Sequence, residues 1–185
     1  MTAEELKDLL KKIDELEKVF IKCRALFPSM HESCIGKTRI QTAVHYRQKL
    51  GQNVFIDFGR KIKQADRDDF SRIGHYLNEN VLFRLASILE YHRICFGSID
   101  IDHETDGWEA VDLIRRIRNV IGHTLGEYDS NKPKHRIIID RINSISGENH
   151  DPDKIIAFPL SIDTVVDKTF DGCIKYIKAK YDTKP

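Results

Sequence analysis

Arg118, Asn119 and His123 stand close together as R-N-V-I-G-H, inside the stretch from Trp108 to Asp129. An imidazole titrates near neutral pH and can move a proton to or from an oxygen. A guanidinium can hold the charge that builds on phosphoryl oxygens in a transition state. An arginine, an amide and a histidine beside a glycine are therefore suited to acid–base work on a phosphate ester. The same residues also suit a plain helix end. There His123 would meet the macrodipole, Gly122 would terminate the helix, and Arg118 would lie along the apolar stripe with its head in water.

Spacing alone does not single this place out. Arg24 to His31, Arg39 to His45 and Arg116 to His123 fit the same loose arginine–histidine pattern. The first straddles Pro28 and the second lacks the asparagine. Arg118 is followed directly by Asn119 and lies near the end of a strongly periodic segment, which favours it over these alternatives. Geometry adds a condition. Residues five apart on an ideal helix are about 140° apart, so Arg118 and His123 do not share a face. They converge only if the helix ends or loosens at Gly122, or if a second chain supplies the partner. If the helix continues through Gly122, Arg116 lines up with His123 instead.

The segment that must position them begins at Asp106-Gly107-Trp108-Glu109, which has capping-box spacing. Ala110, Leu113, Ile114, Ile117, Val120 and Ile121 follow at helical intervals. Asp112, Arg115, Arg116 and Asn119 are expected on the outer side. Before it, Phe70 to Cys95 reads as the longest helix, closed by Gly97. At the N-terminus, Thr2-x-x-Glu5 is a capping box for a helix that stops near Phe27, ahead of Pro28. A second helix is expected over Ile40, Ala43, Val44 and Leu50, with Gly51 as its C-cap. Residues 53–65 read as more helix-like than alternating, and Q-A-D-R-D-D as a break. The β-branched run R-I-I-I-D-R-I-N-S-I-S and the run Ile155 to Leu160 are expected to form a small hairpin. Asp163 to Tyr181 returns to helical spacing.

R-I-R-N-V-I-G-H at a helix end, after the long helix Y-L-N-E-N-V-L-F-R-L-A-S-I-L-E-Y-H, resembles the HEPN superfamily of prokaryotic toxins, defence nucleases and nucleotide-binding proteins. The two helices and their loop cover roughly a third of the chain. The resemblance implies a mainly α, HEPN-like helical bundle, with the small β-hairpin as an insertion before the C-terminal helix. It implies one domain over 1–185, with a helical extension at 1–65, a core helix pair at 66–128, and the hairpin and last helix at 129–185. It further implies a homodimer that brings two motifs into one cleft, and a metal-independent endoribonuclease acting in a toxin or defence role. Carried over, Arg118 and His123 are the catalytic pair, Asn119 orients them, and Arg115 and Arg116 hold the RNA backbone. The 2′-hydroxyl would attack to leave a 2′,3′-cyclic phosphate and a 5′-hydroxyl, with no metal and no cofactor. A cognate antitoxin is a further family-level expectation. The alternative is a non-catalytic module of the same fold that binds RNA, nucleotide or a partner protein.

Composition sets the background. The 30 basic and 29 acidic residues give +1, so any anion site must be local. Hydrophobic content of 41% with 32% charged residues describes a globular chain. The four cysteines have no metal-ligand spacing and read as structural thiols of a reducing compartment. The charged N-terminus excludes a signal peptide core, and no apolar run approaches membrane-spanning length, so a cytoplasmic location is expected. Gly36-Lys37-Thr38 mimics a phosphate-loop ending, but His31 stands where the first glycine is required. Glu90, His92 and Arg93 could reach the cleft, with packing as the plainer reading. His103, Glu104 and Asp106 match metal ligands only in composition. Lys132, Lys134, His135, Arg136 and Arg141 form a basic cluster for which a solvated hairpin edge is the default. Asp66, Asp68 and Asp69 lack calcium-loop spacing.

Overall fold

A computed structural model describes residues 1–95, 100–124 and 127–182, without the side chains of residues 121–124, 162 and 163. The chain is mainly α, with a two-stranded antiparallel sheet. In order it forms α1 (Ala3–Leu26), a short 3-10 turn (Glu32–Cys34), β1 (Arg39–Gln41), α2 (Val44–Leu50), β2 (Phe55–Asp57) and α3 (Gln64–Tyr91). Then follow α4 (Trp108–Thr124), α5 (Pro133–Ser146), a π-helical turn (Ile162–Val166) and α6 (Asp167–Tyr181). Two compact units divide the residues: Met1–Leu16 with Glu79–Pro185, and Glu17–Asn78.

In the larger unit α4 packs against both α5 and α6. Ala110, Leu113, Ile114, Ile117 and Val120 are all buried, as their helical spacing requires. Leu82, Leu85 and Leu89 of α3 are buried too, as are Leu9 and Ile13 of α1. The capping box at the start of α1 is formed reciprocally: Thr2 N–H donates to Glu5 Oε2 at 2.7 Å, and Glu5 N–H to Thr2 Oγ1 at 3.2 Å. Where α4 meets α6 the backbones nearly touch. A Cβ on Gly107 would fall 2.1 Å from the Gly172 carbonyl oxygen, and Gly107 has a φ of +86°. Both facts require glycine there.

The smaller unit closes over Met30, Ile40 and Ile62, with Cys34, Ile56, Phe58 and Phe70 packed against them. Arg24, although charged, is only 3% exposed. Its guanidinium donates to the Phe27 carbonyl and Ser29 Oγ at 2.8 and 3.1 Å, which ties off the end of α1. Gly74 leaves the space it occupies.

Four readings of local structure are corrected. The hairpin expected over 136–160 is absent, because Pro133–Ser146 is α5. Pro133 opens it, Ile138, Ile139 and Ile142 are buried at helical spacing, and Gly147 closes it in the left-handed region. Packing overrode the β-branched composition. Of the run from Ile155 to Leu160, only Ala157 forms a bridge, to Glu127. The strands lie elsewhere: Arg39, Ile40 and Gln41 pair with Asp57, Ile56 and Phe55, so Ile40 belongs to a strand and residues 53–65 hold another. The run from Gln64 to Asp69 opens α3 rather than breaking it. There Asp66 accepts the Lys63 N–H and both ends of the Arg60 fork. These bonds hold its carboxyl down to about 2, the arginine first. The helix ends at Tyr91, and the expected stop at Gly97 lies outside the described residues.

Candidate functional site

α4 carries the candidate residues in its last three turns. It remains α-helical through Gly122 to Thr124, so it does not end at the glycine. Arg118 and His123 therefore stay about 140° apart around one helix axis. The side chain of His123 lies outside the described residues.

Arg118 is held from α3, its Nε 3.0 Å from Glu90 Oε1. Its Nη1 also donates to the Asn119 amide oxygen at 3.4 Å, a long bond. Two carboxylate and amide oxygens thus steer a guanidinium that stays over a third exposed. Glu90, a residue for which packing was the plainer reading, is the one that fixes Arg118. Cys95 is buried nearby. Burial first, and then the Glu90 charge, push its thiol up to about 12, although Arg115 and Arg118 pull the other way. A thiol so placed remains protonated at neutral pH and is no nucleophile.

Arg115 and Arg116 are engaged differently. Asp112, expected on the outer face, is fully buried. Arg115 Nη2 donates to its Oδ1 at 3.0 Å, Arg116 Nε to its Oδ2 at 2.8 Å, and Arg141 Nε from α5 to the same Oδ2 at 2.9 Å. Burial would raise the Asp112 carboxyl, but the bonds from Arg116 and Arg141 outweigh it and hold it below the ordinary carboxylate range. Arg141 also lies 4.3 Å over the Trp108 ring. The reason for the misplacement is α5. With a helix in place of the hairpin, an arginine far along the chain reaches across the α4 face and covers Asp112.

The basic cluster is dispersed. His135 is 2% exposed and its Nδ1 accepts the Asp129 N–H at 3.0 Å. Burial first, then Lys132, lowers its pKa, so it stays neutral. Arg136 forks onto Asp153. Lys132 faces Asp129 at 3.8 Å. At Gly36 and Lys37 the backbone N–H groups are spent on the Ile62 and Cys34 carbonyls, which leaves no phosphate cradle. The His103 ring packs 4.2 Å from Trp108. Among the described residues no group of histidine, cysteine and carboxylate side chains is arranged to hold a metal ion, and no helix is long and apolar enough to cross a membrane. All four cysteines are free.

Compared with family models, curated proteins and solved structures, the chain matches none.

Proposed function

We propose that the chain is a HEPN-type, metal-independent endoribonuclease, acting as a homodimer in a toxin or defence role. The observation that carries this reading is Arg118 in R-N-x-x-x-H on α4, its guanidinium fixed by Glu90 at 3.0 Å yet open to solvent. A pre-positioned guanidinium stabilises a phosphoryl transition state better than a free one, because it needs little reorganisation during the reaction. His123 is the proton carrier, removing the 2′-hydroxyl proton and returning one to the 5′-leaving oxygen. Breaking the P–O5′ bond as O2′ attacks leaves a 2′,3′-cyclic phosphate and a 5′-hydroxyl. Asn119 orients Arg118 through its amide oxygen. Because α4 continues through Gly122, the arginine and histidine of one chain diverge. The site is therefore composite, with Arg118 of one chain facing His123 of the other across a two-fold axis. The reading places the protein in the cytoplasm, with a cognate antitoxin as a further partner.

One observation favours a second reading. Glu90 already neutralises Arg118, as it would in a module that binds RNA, nucleotide or protein without cleaving. Incubating wild type and His123→Ala with single-stranded RNA in EDTA separates the two. The nuclease gives cyclic-phosphate ends that the variant does not. Equal retention of uncut RNA by both proteins supports the binding module and overturns the nuclease.

A further inference from the structure

We infer that Arg115, Arg116 and Arg141 form a binding site for a phosphate monoester, built on the buried carboxylate of Asp112. Arg115 and Arg116 are the residues that the resemblance assigns to the RNA backbone, so the site deepens the nuclease reading and rests on it for its RNA ligand. Arg141, Asp112 and the phosphate monoester are additions to it.

Charge is the first argument. Three guanidiniums meet one carboxylate, so two of the three positive charges are left uncompensated. The neighbouring acids do not make up the difference. Glu109, one turn before Asp112, takes only a hydrogen bond from the neutral Ser144 hydroxyl at 3.4 Å, and among the described residues the three arginines form ion pairs with Asp112 alone. Glu90 is paired with Arg118. Asp140 is exposed and acts on Arg136 and Tyr128. Like charges gathered this closely repel unless an anion sits among them.

Geometry is the second argument. Arg116 and Arg141 each spend only their Nε on Asp112, and Arg115 only one Nη. The remaining nitrogens donate to no described residue. Asp112 is wholly buried while the three arginine side chains are 25–31% exposed. The carboxylate is thus a floor that aligns the guanidiniums, and their free ends form the rim. Trp108 holds the Arg141 plane from one side at 4.3 Å. Planar forks with spare N–H pairs match the oxygens of a tetrahedral oxyanion.

Stoichiometry selects the ligand. Two surplus charges suit a phosphate monoester, which carries roughly −1.5 to −2 at neutral pH, better than one phosphodiester link. The same chemistry belongs to the 5′-phosphate end of an RNA and to a nucleoside monophosphate.

Calorimetric titration of the full chain tests this with inorganic phosphate, a nucleoside 5′-monophosphate, and 5′-phosphorylated and 5′-hydroxyl RNA oligonucleotides. The RNA arms use His123→Ala so that nothing is cut. The 5′-phosphorylated RNA is expected to bind about tenfold more tightly than its 5′-hydroxyl counterpart, as loss of charge-assisted hydrogen bonds dictates, and Arg141→Ala removes the difference. If the mononucleotide binds as tightly as the phosphorylated RNA, the site still stands and its natural source is the nucleotide. Should Arg141→Ala not fold, Arg116→Lys, which keeps charge but loses the fork, must weaken inorganic phosphate binding. Absence of phosphate binding by wild type, or identical affinity for both RNA ends, overturns the site. The inorganic phosphate arm does not depend on cleavage, so failure here and failure of the nuclease reading are seen separately.

Discussion

Four arginines, three on α4 and one on α5, are held by carboxylates in two contrasting ways. Arg118 pairs one-to-one with Glu90, a carboxylate a quarter exposed. Arg115, Arg116 and Arg141 share Asp112, which is fully buried. In the first case water screens both partners, and the bond mainly sets where a guanidinium points. In the second the carboxylate has given up its hydration and depends on its partners, so the cluster is a structural joint between α4 and α5 as well as a source of charge. Burial of the acid, more than identity of the base, separates the two roles.

The comparison breaks most visibly at Asp112. Asp112→Ala removes the shared acceptor and leaves three crowded cations at the α4–α5 contact. It should cost about 3–5 kcal/mol in urea unfolding. Glu90→Ala, at the screened pair, should cost under about 1 kcal/mol while lowering RNA cleavage. Equal losses of stability would erase the distinction.

Acid sharpens it. The folded-state carboxyl of Asp112 titrates below its usual 3.8. Its contribution is therefore fully present above that value and is lost as pH falls through the lowered one. Asp112→Asn, lacking this titration, should show a shallower loss of melting temperature below about pH 4. His135 gives a second, smaller window. Its pKa is lowered from 6.5, so the unfolded chain binds the proton first and stability falls as pH drops below 6.5. Protonation would also break the bond that Nδ1 accepts from Asp129. His135→Gln should flatten that part of the pH profile, leaving the share contributed by His92, whose pKa is also lowered by burial.

The range of the forces involved decides which elements the spacing of residues reveals. α1, α3, α4 and α6 announce themselves because their apolar residues recur at helical spacing over many turns. β1 and β2 have three residues each, too few for alternation to show, and only their pairing makes them strands. α5 was hidden by its isoleucines, whose propensity is decided by what they pack against. Arg118, Asn119 and His123 are local in sequence and so were visible together. The partners that set their neighbours' roles are not local. Arg141 lies 29 residues from Asp112, and Glu90 is on a different helix from Arg118. Nothing in spacing announces such pairs. The helical continuity through Gly122 was likewise invisible, since a glycine there is as consistent with a stop as with a passage.

With α4 continuous through Gly122, the proposed cleavage needs a site shared by two chains, and subunit complementation tests it. Arg118→Ala and His123→Ala would each be purified, shown to be inactive on an RNA that wild type cleaves, then mixed, unfolded and refolded together. If each site takes its arginine from one chain and its histidine from the other, every mixed dimer regains one intact site, and activity should return to about a quarter of wild type. A mixture as inactive as its two parents would contradict the composite site.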